Sequence, residues 1–231
     1  MAMKMETIAH IRTCYGEKFG VPRQPGLVKD AWGELVFEPE FRNADALRGL
    51  EGFSHVWLVF IFHQALRSDW KPTVRPPRLG GNERVGVFAT RSPFRPNPIG
   101  LSVVKLDGID LDHPDGPVLK LSGVDLVDGT PILDIKPYIP YADALPDAVG
   151  GFVSGAPDCL SVQWHCAVPA EMSDANRRLI EATLAADPRP AYQRQESGRE
   201  YGCLIDGCNV RWTVEDGCAT IVACEPGDNR A

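Results

Sequence analysis

The chain has 231 residues, of which 44% are hydrophobic and 24% are charged, and its formal net charge is −7 at pH 7. These proportions are typical of a folded protein and exclude a chain that is disordered throughout. The negative charge argues against a protein that coats nucleic acid generally. The length allows one large domain or two small ones.

The first residues lead directly into an alternating pattern, without a basic stretch followed by an apolar run, so we expect no signal peptide. The longest apolar run, residues 56–62, is too short to cross a bilayer. These two features predict a cytoplasmic protein that does not enter a membrane.

The N-terminal part carries strand patterns separated by turn residues. The predicted strands cover residues 7–13, 33–37, 55–62, 85–90, 99–106, 118–124 and 132–135. Residues 55–62 are apolar at almost every position, so we expect a central strand covered on both faces. Six or seven short strands with little helical periodicity predict a mainly β fold, a barrel or a sandwich, and not a doubly wound α/β sheet.

The C-terminal part has a different pattern. Gly, Ala, Pro and Asp are frequent before residue 158, which predicts a linker at 146–158 between a domain at 1–145 and a smaller one at 159–231. The smaller domain combines a strand at 160–168 and a helix at 171–186 with three strands at 201–205, 208–214 and 218–224. Asp-Gly pairs at 206–207 and 216–217 predict tight hairpins, so we expect an α+β domain.

The seven cysteines are scattered, and without an export signal they predict reduced thiols. Cys203 and Cys208 flank a predicted hairpin, and no second Cys/His pair completes a metal site. No Gly-x-Gly-x-x-Gly follows a strand, and no Walker-type motif occurs. We therefore expect no metal, no cysteine nucleophile and neither of these phosphate-binding loops.

Positive charge is concentrated in one segment, residues 67–95. It contains seven cations and two anions, a local excess of +5, so the remaining residues carry −12. One interpretation is a solvated loop that keeps the protein soluble. The other is an anion-binding face for one phosphate-bearing partner.

The most unusual stretch is residues 91–98, RSPFRPNP. Its three prolines restrict the backbone, so two arginines and an asparagine can be held for binding at little entropic cost. A stiff connector whose arginines cap nearby carbonyls is the alternative. Further polar loops lie at residues 22–26, 63–64, 128–131 and 134–138, several of them next to predicted strands, which is a common placement for functional residues. Asp134 and Lys136 could also simply pair with each other.

Several motifs in this order resemble the TsaA-like family, also called YaeB or TrmO. They are residues 8–13 (IAHIRT), 22–24 (PRQ), 50–55 (LEGFSH), 91–101 (RSPFRPNPIGL) and 134–138 (DIKPY). Residues 187–192 (DPRPAY) and the strands that follow resemble the C-terminal extension of bacterial members. The similarity extends over nearly the whole chain.

The resemblance implies an S-adenosylmethionine-dependent tRNA methyltransferase that acts on N6-threonylcarbamoyladenosine at position 37 of the anticodon loop. It also implies a single-sheet β-barrel that binds the cofactor near a homodimer interface. The cofactor contacts implied are Pro22, Arg23, Gln24, His63, Gln64, Arg91, Leu101, Asp128, Gly129, Thr130 and Pro131.

Within this interpretation, Asp134 is the candidate base for the acceptor N–H, and Tyr138 is an orienting or alternative group. Arg95 and Asn97 are expected to hold the threonyl carboxylate or the carbamoyl oxygen. Phosphates of the tRNA would be held by Lys71, Arg75 and Arg78.

Two alternatives stay open. One is a methyltransferase of the same fold that acts on a small molecule, against which the basic segment and the C-terminal extension argue. The other is a non-catalytic β-barrel module that binds RNA. Such a module is expected to display stacking aromatics on a strand face, whereas the aromatic residues here lie mainly in apolar runs and indicate core.

Overall fold

The computed structural model describes residues 4–190, 193 and 198–227. In chain order the elements are β1 (Ala9–Thr13), β2 (Trp32–Phe37), β3 (His55–Ile61), β4 (Thr73–Val74), β5 (Val85–Gly86), β6 (Ile99–Asp110), β7 (Val118–Ser122), β8 (Thr130–Pro137), α1 (Pro140–Asp143), β9 (Ser161–Trp164), α2 (Asp174–Ala185), β10 (Tyr201–Ile205), β11 (Cys208–Glu215) and β12 (Cys218–Pro226). Within these residues no helix is long and apolar enough to span a membrane.

Six strands close into a β-barrel in the order β1-β2-β7-β6-β3-β8. Alternate residues of each strand point inward and form the core, among them Ile11, Leu35, Leu58 and Val104. A second, four-stranded sheet has the order β10-β11-β12-β9, with β12 and β9 parallel. The mainly β class, with a barrel followed by a small α+β domain, is confirmed.

The expectation that β3 is covered on both faces is wrong. Val56, Leu58 and Phe60 are buried in the barrel, but the residues between them are only partly covered. A strand of a closed β-barrel has one face inside and one outside. The apolar residues Trp57 and Val59 therefore lie on the outer wall.

The prediction of a strand at residues 85–90 is also wrong, because the strand ends at Gly86. After β5 the chain forms a 3-10 turn at Val87–Ala89. Val87 is buried and donates its N–H to Pro72, while Thr90 donates both its N–H and its hydroxyl to the Val87 carbonyl. These bonds curl the chain, so the strand stops early. The strand predicted at 160–168 is likewise shorter and ends at Trp164.

The two Asp-Gly hairpins are confirmed. Asp206 and Gly207 have φ angles of 47° and 73°, and Asp216 and Gly217 have 47° and 74°. Two consecutive left-handed residues are what a type I′ turn requires, and Asp followed by Gly is favoured there. Helix α2 starts after Ser173, whose hydroxyl accepts the N–H of Asn176 at 3.1 Å.

The chain groups into two compact units. The first holds the described residues up to Arg12, Glu34–Leu121 and Gly129–Gly155, and the second holds Thr13–Gly33, Ser122–Asp128 and the described residues from Ala156 onward. In the second unit the Tyr15 hydroxyl lies 3.1 Å from the Thr183 hydroxyl, and Phe19 stacks on the buried Trp212. The division at 1–145, 146–158 and 159–231 stays a prediction, because packing does not establish which segments fold independently.

Candidate active site

Three of the predicted loops reach the same end of the barrel. Strand β3 runs antiparallel to both β6 and β8, so its last residues lie beside the first residues of its neighbours. Ile61 pairs with Ile99, and Phe60 pairs with Ile132. The Phe62 N–H donates to the Pro98 carbonyl at 2.8 Å. This end therefore collects His63 and Gln64, the loop 91–98 that contains Arg91, and the start of β8 at Gly129, Thr130 and Pro131.

A row of side chains crosses the outer wall next to this end. Val59 pairs with Leu101 on one side and with Asp134 on the other. All three point outward, and Leu101 is 58% exposed. Two strand spacings separate Leu101 from Asp134, which is about 10 Å. The register thus places a predicted cofactor contact and the predicted base on one surface.

The pairing of β3 with β8 is irregular beside Asp134. Val59 pairs with Asp134, yet the next residue, Phe60, pairs with Ile132, so Leu133 is an extra residue on β8. Such a β-bulge changes the direction of neighbouring side chains and is frequent next to active sites.

The Asp134 carboxylate has two partners. One oxygen lies 2.9 Å from the Lys136 ammonium, and the other accepts the N–H of Ile135 at 2.9 Å. The pairing of Asp134 with Lys136 that the sequence allowed is thus present. Both side chains are about half exposed or more, so the pair remains open to a substrate.

Tyr138 follows the end of β8 on the same wall. Its N–H donates to the His55 carbonyl at 3.0 Å, and its ring lies 6.3 Å from the His55 ring and 6.2 Å from the Trp57 ring. Trp57 in turn pairs with Lys136. Tyr138 therefore lies one row beyond the Asp134–Lys136 pair.

Loop 91–98 is braced by one of its own arginines. Arg95 Nη1 donates to the carbonyls of Thr90 and Ser92 at 3.1 and 3.5 Å, and the Ile99 N–H donates to Asn97 at 2.7 Å. The carbonyl-capping role considered for this loop is thus present at Arg95. A guanidinium has five N–H donors, so donors remain for a ligand.

The other predicted cofactor residues lie in the second unit. Arg23 Nη2 donates to the Arg189 carbonyl at 2.6 Å, and Gln24 donates to the Arg23 carbonyl. Arg189 is buried and paired with Asp187 at 2.7 Å. Burial lowers the pKa of Arg189, but the Asp187 carboxylate raises it overall. Of residues 187–192, Ala191 and Tyr192 lie outside the described residues.

Asp128, Gly129 and Thr130 each have a structural role in the fold. The Asp128 carboxylate accepts the Thr13 N–H at 2.8 Å, and its own N–H donates to the Tyr15 carbonyl. Gly129 has a φ of 73°, which favours glycine. The Thr130 side chain is buried, so a cofactor contact there would come from the backbone.

The basic segment surrounds the short hairpin of β4 and β5. Lys71, Arg75 and Arg78 are exposed or partly exposed, and no ion pair joins them to a carboxylate among the described residues. Trp70 and Phe88 also lie here, 50% and 72% exposed. The expectation that the aromatic residues form core is wrong for these two. Trp70 lies between Asp69 and Lys71, and this charged setting was a signal in the sequence, whereas Phe88 lies in the apolar run 85–89 and gave no such signal.

The described part of the chain contains no group of three or more His, Cys, Asp or Glu side chains that could hold a metal ion. The candidate site consists of polar loops and an outer barrel wall, which together carry carboxylate, ammonium, guanidinium and apolar groups.

Comparison with known families gives two matches. The tRNA-methyltransferase O N-terminal domain matches residues 10–144, and the TrmO C-terminal domain matches residues 157–227.

Two similar proteins extend this match. The tRNA (adenine(37)-N6)-methyltransferase of Escherichia coli is 49% identical over 97% of this chain and 99% of its own length. A Pseudomonas aeruginosa protein, RcsF, provisionally named an S-adenosylmethionine-dependent methyltransferase, is 48% identical over 92% and 93% of the two chains. A crystal structure of TrmO from Pseudomonas aeruginosa superposes with a TM-score of 0.77 at 39% identity, covering 97% of this chain and 99% of that one.

Proposed function

Because the chain belongs to the tRNA-methyltransferase O family, we propose that it methylates N6 of N6-threonylcarbamoyladenosine at position 37 of tRNA, with S-adenosylmethionine as methyl donor. The observation that carries this proposal is the near full-length similarity to the Escherichia coli tRNA (adenine(37)-N6)-methyltransferase. The row of Leu101, Val59 and Asp134 beside loop 91–98 supports it.

The residues at this end of the barrel fit the cofactor in chemical terms. The Arg91 guanidinium suits the carboxylate of the methionine part, His63 and Gln64 suit ribose hydroxyls, and the exposed Leu101 offers an apolar surface. The proposed set also includes Pro22, Arg23 and Gln24 and residues 128–131. Bound S-adenosylmethionine supplies an electrophilic methyl group on a positively charged sulfur.

The main task of the protein is to align the acceptor nitrogen with that methyl group. Holding two reactants in line can lower a barrier by about 7–11 kcal/mol. Rigid loops on a barrel suit this task, since little entropy is lost when they bind. Loop 91–98, braced by prolines and by Arg95, is such a loop.

The acceptor N6 is a poor nucleophile, because its lone pair is delocalised into the purine ring and the carbamoyl group. The same delocalisation acidifies its N–H, so a carboxylate that accepts this proton assists transfer. We assign this role to Asp134, with Tyr138 as an orienting group. Arg95 and Asn97 would hold the threonyl carboxylate or the carbamoyl oxygen.

Binding of the tRNA is proposed to use the basic segment. Bases of an anticodon loop are unstacked and accessible, so a protein can reach them without opening a duplex. Lys71, Arg75 and Arg78 would contact phosphates. The protein is proposed to act as a homodimer, which sedimentation analysis would establish.

The deciding experiment incubates the purified protein with labelled S-adenosylmethionine and total tRNA, with or without the threonylcarbamoyl modification. We expect label to enter only the modified tRNA. Equal transfer to both samples would refute the specificity for threonylcarbamoyladenosine, and cofactor binding without transfer to any tRNA would favour a small-molecule substrate. If the protein binds tRNA but no cofactor, it is a non-catalytic RNA-binding module.

A further inference from the structure

Two aromatic side chains stack on each other at the surface of the basic segment. Trp70 and Phe88 are 50% and 72% exposed, their ring centroids are 6.1 Å apart, and their planes meet at 28°. Aromatic rings gain much free energy from burial, so two adjacent exposed rings often indicate a binding surface. We call Trp70 and Phe88 the aromatic pair.

The backbone under the aromatic pair is held in place. Thr73 pairs with Gly86, Val74 pairs with Val85, and the Val87 N–H donates to the Pro72 carbonyl at 2.9 Å. The Val87 side chain is buried and anchors the turn that carries Phe88. The rings are therefore exposed but pre-positioned, which lowers the entropic cost of binding.

The charges around the aromatic pair favour an anionic partner. Lys71 is next to Trp70 in the chain, and the segment 67–95 has a local excess of +5. Among the described residues no ion pair neutralises Lys71, Arg75, Arg78 or Arg84. A single-stranded nucleotide presents a flat base and a phosphate together, which matches aromatic and cationic groups side by side.

We propose that the aromatic pair is a stacking platform for an unpaired base of the tRNA anticodon loop, with Lys71 at a flanking phosphate. This proposal rests on the proposed function. It adds the residues that would bind the anticodon loop. The cofactor is a weaker fit as occupant, because its single carboxylate is already assigned to Arg91 and the proposed cofactor contacts include neither Trp70 nor Phe88. An acidic protein surface would engage the cations but supplies no base to stack.

The test measures binding of a threonylcarbamoylated anticodon stem-loop RNA at several salt concentrations. Phe88→Ala and Trp70→Ala are expected to weaken binding by between about 5-fold and about 150-fold, the range for loss of one stacked base. Because no charge is removed, the slope of log affinity against log salt stays unchanged, whereas Lys71→Gln lowers it by about one.

Two further variants control this measurement. Trp70→Phe keeps a stacking ring and should bind with nearly wild-type affinity. Tyr141→Ala removes an aromatic side chain that is 91% exposed outside the basic segment, and it should leave binding unchanged. Tryptophan fluorescence should be quenched when RNA saturates the wild type, and this part of the signal should be missing in Trp70→Phe.

The outcomes separate the platform from the proposed function. If the wild type binds the RNA and Phe88→Ala, with an unchanged melting temperature, binds it equally well, the platform is overturned even if methyl transfer proceeds. If Phe88→Ala weakens binding of S-adenosylmethionine or dissociates a dimer while RNA affinity is unchanged, the pair serves the cofactor or a protein interface instead. A wild type that binds the stem-loop but transfers no methyl group refutes the proposed function alone, and one that binds no RNA refutes both.

Discussion

The side chains of Asp134 and Lys136 form a pair on the outer wall of the barrel, two residues apart on β8. The Ile135 N–H holds one carboxylate oxygen, and the ammonium holds the other. These contacts orient the carboxylate that we assign as the base. A second Lys–Asp ion pair between residues two apart lies on β6, where the Lys105 ammonium is 2.6 Å from the Asp107 carboxylate. That second pair offers a matched control.

Replacing Asp134 by Asn should lower the turnover number by about 100-fold or more, the usual contribution of a general base. The amide retains an oxygen for the Ile135 N–H but cannot take a proton. Affinity for S-adenosylmethionine, measured by calorimetry, should stay at the wild-type value. Asp107→Asn removes a comparable exposed carboxylate and should leave turnover unchanged. Full turnover of Asp134→Asn with intact cofactor binding would show that the base is elsewhere.

The buried cysteines provide a prediction on reactivity. Burial, together with the charge of Asp206, raises the pKa of Cys14 to about 12. Burial and the charge of Glu17 raise the pKa of Cys203 to about 12 as well. Since the thiolate is the reactive form, both thiols should be inert at pH 8, far below these values. Mass spectrometry after brief iodoacetamide treatment should find the exposed Cys159 alkylated first. Equal labelling of Cys14 in the folded protein would contradict this assignment.

At the scale of elements, β6 shows how the barrel tolerates a glycine within a strand. Gly100 pairs with Phe60, and the Phe60 ring occupies the space that a side chain at position 100 would need. A Cβ there would lie 2.2 Å from Phe60 Cζ. The ring is buried in the barrel, so it has little room to move.

Gly100→Ala should therefore lower the free energy of unfolding by about 1–3 kcal/mol, as overpacking of a core does. Gly108→Ala is the matched control on the same strand, because a Cβ at position 108 meets no atom within 4 Å. Urea unfolding of both variants measures the difference. A midpoint for Gly100→Ala equal to that of Gly108→Ala would mean that the Phe60 ring moves aside without cost.

The sequence predicted best those elements that are determined by residues close to one another in the chain. The Asp-Gly hairpins and helix α2 depend on residues within a few positions of one another, and the sequence locates them closely. The error at residues 85–90 has a different origin. The Val87 N–H donates to the carbonyl of Pro72, which directly precedes the other strand of the hairpin, β4. The residue pattern of 85–90 contains no information about a hydrogen-bond partner at Pro72, so it could not predict where the strand ends.

For the whole molecule, the uneven distribution of charge is the main feature. Segment 67–95 has an excess of +5 while the remaining residues carry −12. Such a distribution attracts an anionic partner to one place and keeps it off the rest of the surface. The salt dependence of tRNA binding is the corresponding observable.

Neutralising Lys71, Arg75 and Arg78 together to Gln should weaken tRNA binding and lower the slope of log affinity against log salt by about two to three. The control neutralises Arg48, Lys105 and Lys120, which changes the net charge equally but removes cations already paired with carboxylates. That control variant should retain most of the wild-type affinity for tRNA and most of the dependence of this affinity on salt. If the two triple variants behave alike, the basic segment is only a solvated loop.

Most barrel strands, the two Asp-Gly turns and the motifs that resemble a known family could be recognised in the sequence, because each of these depends on neighbouring residues. The positions of Leu101 and Asp134 on either side of Val59, and the exposure of Trp70 and Phe88, became known from the folded structure alone. Leu101 and Asp134 are separated by 32 intervening residues in the sequence. Alternation along a strand fixes which side chains share a face, but the choice of neighbouring strand and its register follows from packing of the whole barrel.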